Sequence, residues 1–488
     1  MVFLVGGANS ATGYEIENSL RCNGTDSYLN FTLGTPTSQR KATFSAWGKF
    51  NGQRSGSDDN SFWSMGDDYG QSMNVVRTAG TPQIYLDDSD GKNLSFNNGP
   101  NLRDPSAWYH FVVQIDTTQS TATNRMKWFI NGTQLDNTTA SHEVSPDQNY
   151  DIPGLASGQT MSISKRASSS SHYIDGYIAE MIYLDGSIAA PSEFGETNDN
   201  GVWIPKKPTG LTFGNNGAWL EFKQTGTSAN ASGIGADTSG NGNHYTVNNL
   251  AAIDVTTDTP TNNFATLNPL YKARNTDDGV YAEGNTKISW TSNNDDKGIA
   301  TSTIGVTGGK WYWEAKVTDV SRALIGVGDA IQMAQFTDAF YDNDPSYGMA
   351  VYLPNGNLQE NNTSAADWAS DASDDDIIML ALDMDNHRCW LGINGTWQDS
   401  GDPTSGSTGT GDMTTQISDQ THINTGEFIF PIFADLSTTE KAEFEVNFGN
   451  APYSISSGNA DANGYGNFEY APPSGFYALC SKNLAEFG

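Results

Sequence analysis

Short apolar runs alternating with polar residues recur along the whole chain, and runs of helical period are almost absent. In the first half the clearest runs are 42–50, 108–116, 125–130 and 173–184. In the second half they are 311–317, 324–327, 347–353, 377–383, 389–393, 427–433 and 442–448. In Trp311-Tyr312-Trp313-Glu314-Ala315-Lys316-Val317, the odd-numbered residues form one apolar face. A half-buried strand has this pattern, because successive side chains point to opposite faces. Only 191–196 reads as a helical turn, with Pro191 at a first-turn position. Gly, Asn, Ser, Thr and Asp crowd the gaps and supply tight turns. The pattern predicts an all-β chain.

One stretch echoes another. Residues 109–135 read YHFVVQIDTTQSTATNRMKWFINGTQL, and residues 376–397 read DIIMLALDMDNHRCWLGINGTW. Each is an apolar strand ending in Asp (Asp116, Asp383), a polar turn, and a second strand containing Trp (Trp128, Trp390). Each closes on Asn-Gly-Thr, at Asn131-Gly132-Thr133 and Asn394-Gly395-Thr396. Asn-Gly is the strongest short hairpin signal, since both residues accept the positive φ of a type I′ turn. Convergent hairpins would give part of this likeness. The shared order of strand, Asp, turn, Trp strand and Asn-Gly favours two copies of one architecture. We therefore expect two similar β-sandwiches in tandem, at 1–223 and 281–488. An irregular Gly/Asn/Thr/Pro-rich connector is expected at 224–280, with a strand or two of it completing the first sandwich. The region 401–421 lacks apolar anchors and reads as a long exposed loop.

Composition sharpens this reading. At 488 residues the chain exceeds one core. Twelve Trp, 20 Tyr and 22 Phe offset a low hydrophobic content of 36% and argue against disorder. A net charge of −32 repels phosphate backbones and anionic lipid, which argues against nucleic-acid and membrane partners. The charge itself reads as solubility, with Ca²⁺ binding as the alternative. Cys22, Cys389 and Cys480 are far apart and form neither a disulfide framework nor a zinc pattern. The start, Met1-Val2-Phe3-Leu4-Val5, has no basic segment and too short an apolar run for a signal peptide, and no apolar run is long enough to span a membrane.

The expected chemistry is binding. Six scattered His show no metal or triad spacing, and no G-x-S-x-G elbow occurs. A jelly-roll glycosidase would place paired Glu at alternate positions of one strand, whereas Glu180 and Glu221 stand singly. Oxygen-rich loops occur at Asp67-Asp68, Asp87-Asp88-Ser89-Asp90, Asp237 and Asp374-Asp375-Asp376. A structural Ca²⁺ would take Asp87, Asp88 and Asp90 as ligands, although turns alone also favour Asp. No other cofactor is expected. The Trp of the strands (47, 63, 108, 128, 311, 313, 390) read as core. Tyr69, Trp368 and Trp397 lie in loops beside Gly, Asp and Asn, where a ring would stack on a sugar unless the loops bury it.

Residues 303–449 resemble a SPRY-type domain. The likeness is carried by Gly308-Gly309-Lys310-Trp311-Tyr312-Trp313-Glu314, Ile325-Gly326-Val327-Gly328, Ser346-Tyr347-Gly348, Asn394-Gly395, Phe430-Pro431-Ile432-Phe433-Ala434 and Val446-Asn447-Phe448-Gly449. The resemblance implies a bent sandwich that binds peptides or proteins through loops and has no catalytic residues. Residues from about 15 to 222 resemble the laminin-G-like, concanavalin-type jelly-roll, through Phe44-Ser45-Ala46-Trp47, Trp108-Tyr109-His110-Phe111-Val112-Val113, Asn131-Gly132 and Ile174-Asp175-Gly176-Tyr177-Ile178-Ala179-Glu180-Met181, and the two resemblances together imply two concanavalin-like jelly-roll β-sandwiches in tandem. That likeness implies sugar binding, sometimes through Ca²⁺. The two together, with the opening 13–21 and the ending 473–484, resemble virion proteins of tailed phages, marine ones especially. This third resemblance implies a non-enzymatic decoration, head-fibre or tail-fibre protein on the virion surface, made in the host cytoplasm and released by lysis. It would contact other virion proteins and a host glycan or protein, and a homotrimer would suit a fibre or spike. The alternatives are a secreted carbohydrate-binding protein of a marine bacterium and, below it, a glycoside hydrolase.

Overall fold

The expected strands form where the alternation places them. The computed structural model describes residues 13–51, 61–66, 73–78, 81–86, 94–95, 102, 104–136, 142–143, 146–167, 171–271, 279–290, 298–329, 348–360, 363–415, 428–435 and 441–488. The chain divides into two compact units after Thr261. Each is built almost wholly of antiparallel strands, and no described helix is long and apolar enough to cross a membrane.

In the first unit the larger sheet runs, edge to edge, Thr133–Gln134, Met126–Ile130, Tyr109–Asp116, Lys41–Phe50, Asp175–Asp185, Ser19–Asn23 and Val255–Thr256. Ala218–Leu220 pairs with Asp175–Asp185 beside it. A second sheet orders Thr246–Asn248, Tyr28–Thr32, Thr160–Ile163 and Trp63–Met65. A third contains His142–Glu143, Leu94–Ser95, Thr81–Leu86 and Met73–Thr78. Between the first two lies a core of Phe44, Phe111, Val113, Trp128, Met161, Ile178 and Tyr183 among others. The even-numbered residues 42, 44 and 46 enter that core, whereas Trp47 on the same strand packs in a separate cluster.

The second unit repeats the plan. Its larger sheet runs Thr396–Trp397, Arg388–Ile393, Ile377–Asp383, Lys310–Asp319, Glu443–Asn447, Lys287–Ser289 and Val280–Ala282. The opposing sheet runs Gly298–Thr301, Phe430–Asp435, Ala323–Gly328, Gly348–Tyr352, Asn357–Glu360 and Thr363–Ala365. Read from the Asn-Gly hairpin inward, the first six strands of each larger sheet occur in the same chain order. Only the seventh differs: Val255–Thr256 follows the rest of its sheet in sequence, whereas Val280–Ala282 precedes it. The facing strands correspond too, because Tyr28–Thr32, Thr160–Ile163 and Trp63–Met65 take the places of Gly298–Thr301, Phe430–Asp435 and Ala323–Gly328. The echo in the sequence is one corner of a duplicated topology.

Within the expected connector at 224–280, Thr246–Asn248 and Val255–Thr256 pair with Tyr28–Thr32 and Ser19–Asn23, the strand or two expected to complete the first sandwich, and residues through Thr261 fall in the first unit. The expected exposed loop is tied down over 401–415. Met413 is fully buried, Trp390 donates its indole N–H to Thr410 O, and Arg388 bonds Asp412, Thr414 and Ser407 O. A short helix, Ser481–Phe487, ends the chain where no periodic run announced it. The three cysteines are buried and free.

Candidate functional site

Of the residues singled out from sequence, Tyr69, Asp87, Asp88 and Asp90 lie outside the described residues, as do Asp67 and Asp68. Trp368 is 8% exposed and packs in the second core, so its ring is not a surface platform. Trp397 is half-buried against the cluster of Tyr312, Trp390, Phe468 and Phe476. In the described oxygen-rich loops each carboxylate has a protein partner. Asp237 accepts hydrogen bonds from Trp219 N, Ser239 N, Ser239 Oγ and Asn243 N. Asp374 accepts from Val320 N, Asp375 pairs with Lys316 at 2.7 Å, and Asp376 accepts from Ser373 N and Asn394 Nδ2. Among the described residues no cluster of His, Cys, Asp and Glu is arranged to hold a metal ion.

The chemically dense surface is the outer face of the first unit's larger sheet. Residues 189–213 lie over it: Phe194, Ala189, Leu211 and Phe213 pack on Val112, Ile182 and Leu184. Beside them Trp47 and Ala179 are covered by Tyr14, Ile16, Trp108 and Trp203. His110 sits fully buried beneath, stacked on Trp47 with ring centroids 4.7 Å apart. Trp203 donates its indole N–H to His110 Nδ1 at 3.0 Å, and Nε2 lies 2.9 Å from Ser45 Oγ. A Ser–His pair is the usual mark of a nucleophile, and here it cannot be one. With Nδ1 accepting, the neutral ring carries its proton on Nε2 and donates to Ser45, the reverse of what a base must do. Burial also pushes the imidazole down to about 3, so it stays neutral. The group is structural.

Two further ionisable groups lie on the same sheet. Lys49 and Asp258, both 1% exposed, pair at 2.8 Å, and Trp108 Nε1 donates to the other carboxylate oxygen at 3.2 Å. This fixes the 255–261 segment to the strand Lys41–Phe50. Glu180 stands in a bulge of Asp175–Asp185, where register slips between Ala179 and Ile182. It has φ +48°, is 5% exposed, and accepts a hydrogen bond from Tyr14 Oη at 2.8 Å. Burial pushes its carboxyl up to about 8, with Glu221 adding to the effect.

The second unit covers the same face with its own C-terminal segment. Glu314, fully buried and pointing outward from Lys310–Asp319, accepts from Tyr312 Oη, Asn447 Nδ2, Glu469 N and Tyr470 N. It thereby holds residues 468–470 onto the sheet. In both units an aromatic ring of the cover rests on the glycine of the Asn-Gly turn. A Cβ on Gly132 would lie 2.5 Å from the Trp203 ring, and one on Gly395 2.7 Å from Tyr470. Both asparagines have φ +48° and accept from the amide at the start of the first strand, His110 N and Ile377 N. The Asn-Gly turn is therefore both a hairpin and a seat for the cover.

Neither cover is foreseeable from sequence. Trp203 and Tyr470 lie in segments without alternation, and their partners are remote in the chain. Glu180 reads in sequence only as a single carboxylate, and its bulge has no local signal.

Residues 23–189 match the family model described as the Concanavalin A-like lectin/glucanases superfamily. Among solved structures, the chain is similar to the SPRY domain of human HERC1, at 16% identity over 33% of this chain and 86% of that one, with a TM-score of 0.24. A human SPRY domain gives 15% identity, 33% and 91% coverage and a TM-score of 0.24. A native heptameric SAP-like pentraxin from Limulus polyphemus gives 18%, 36% and 80% coverage and a TM-score of 0.24. No curated protein sequence matches.

Proposed function

We propose that this chain is a non-enzymatic surface protein of a tailed-phage virion, a decoration or fibre/spike subunit whose loops meet a host glycan or protein. The observation that supports a non-catalytic role is the double cover. In each unit one face of the larger sheet packs on the opposing sheet, and the other lies under the unit's own chain. The ionisable groups beneath are bonded inward, as Glu314 and His110 are. A glycanase cleft needs an open groove with two reachable carboxyls. A concanavalin A-like match that includes lectins supports binding of carbohydrate or protein. The virion reading is supported by the order of parts along the chain, a laminin-G-like half before a SPRY-like half.

Cryo-electron microscopy of the particle carrying this chain tests the reading. Density at capsid lattice positions makes it a decoration protein, and density on the tail makes it an adhesin. Absence from any particle overturns the virion role and leaves a secreted carbohydrate-binding protein in its place.

A further inference from the structure

Residues 14–17 cross the outer face of the first unit's larger sheet. Tyr14 and Ile16 pack on Trp47 and Ala179, Thr261 Oγ1 donates to Ile16 O at 2.9 Å, and Lys223 reaches Glu17 at 3.4 Å. A further attachment is unusual: Tyr14 Oη donates to Glu180, a carboxyl buried at the bulge. A strand residue other than glycine at φ +48° is strained, and here the strain keeps a carboxyl beneath an aromatic lid. The lid shields Glu180 from water while it is neutral. Once charged, Glu180 gains more from hydration than from Tyr14, Trp219 and Lys223, since burial outweighs all three.

We propose that residues 14–17 act as a pH-sensitive strap, closed over the sheet while Glu180 is protonated and released when Glu180 ionises, which uncovers Trp47 and the flanks of Trp108 and Trp203. The groups that face Glu180 set its response. Tyr14 donates to it from the strap, and Glu17 lies on the same segment. Glu221 and Lys223 follow the neighbouring strand Ala218–Leu220, paired with each other at 3.0 Å. Glu221 opposes ionisation and Lys223 favours it, while burial is the larger cause. In the open strap Glu180 returns toward the ordinary carboxylate range. The closed state therefore holds the proton more tightly and is favoured at low pH. As pH rises from about 5 to about 8 the open fraction grows by up to about tenfold per unit, then levels off.

The test is thiol labelling of Ile16→Cys in the full chain, with the three native cysteines buried. Labelling rates from pH 5.5 to 9.5 are divided by those of the urea-unfolded chain at the same pH, which removes the thiol's own titration. The expected ratio rises by about 50-fold between pH 6 and pH 8 and flattens above. Glu180→Gln in the same background is expected to give a flat ratio, and Glu221→Gln to bring the plateau in at lower pH. A flat ratio in the Ile16→Cys parent, or a rise that survives Glu180→Gln, overturns the proposal.

Discussion

The two Asn-Gly turns offer a quantitative test of the covered-sheet architecture. Replacing Gly132 with Ala imposes φ +74° on an L-residue. That costs about 1–2 kcal/mol, because Cβ approaches the following carbonyl. The new methyl also enters the Trp203 ring, whose nearest atom lies 2.5 Å away, and overpacking of this kind costs about 1–3 kcal/mol. Gly132→Ala should therefore destabilise the first unit by about 2–5 kcal/mol. Gly158 is the control, with φ +87° and nothing within 4 Å of an added Cβ, so Gly158→Ala should carry only the backbone cost. Urea denaturation of the full chain gives the loss. Hydrogen exchange at peptides spanning Asp175–Asp185 and Lys310–Asp319 assigns it to a unit. In a Trp203→Ala background the Gly132→Ala penalty should shrink toward that of Gly158→Ala. Equal penalties for Gly132→Ala and Gly158→Ala would refute the idea that Trp203 seats on the turn.

Gly395→Ala should show the same excess in the second unit, relieved by Tyr470→Ala. Glu314→Ala strips the acceptor from Glu469 N and Tyr470 N, leaving buried donors unpaired at a cost on the order of 3 kcal/mol, so exchange of those two amides should quicken by about 100-fold. His110 contributes an acid-side pH dependence. Its folded value, about 3, lies below the unfolded 6.5, so its contribution is complete above pH 6.5 and falls away as pH drops. The loss should reach about 3 kcal/mol by pH 4, and His110→Gln should abolish that slope in pH-dependent denaturation. Glu180 runs the other way: its folded value lies above the unfolded one, so its contribution is present at low pH and lost as pH rises toward 8. Glu180→Gln should therefore steepen the acid-side loss between pH 4.5 and 6.5.

Strand positions were legible because a period of two survives any tertiary context in which one face is buried. The run at 311–317 became Lys310–Asp319, and 377–383 became Ile377–Asp383. The hairpin echo was legible because Asn-Gly has one local meaning. Its Trp component was not. Trp128 stands three residues before Asn131 and enters the core, whereas Trp390 stands four before Asn394 and points to the cover. A one-residue difference puts a side chain on the opposite face of a strand, and a motif read by eye does not register it. The covers were illegible for a different reason. Segments 189–213 and 465–470 follow no period, and they are held by residues far away in sequence, such as His110 to Trp203 and Glu314 to Tyr470. Trp368 shows the same limit, since its polar surroundings read as surface while its ring lies in the core.

Binding without turnover is the central claim. The most direct measurement incubates the full chain with laminarin and with agarose oligosaccharides, and quantifies both retained ligand and released reducing ends. The expected result is no release above a heat-inactivated control, whether or not either sugar is retained. Release that exceeds the control and disappears in Glu180→Gln or Glu221→Gln would contradict the claim and make the bulge carboxyl a catalytic acid.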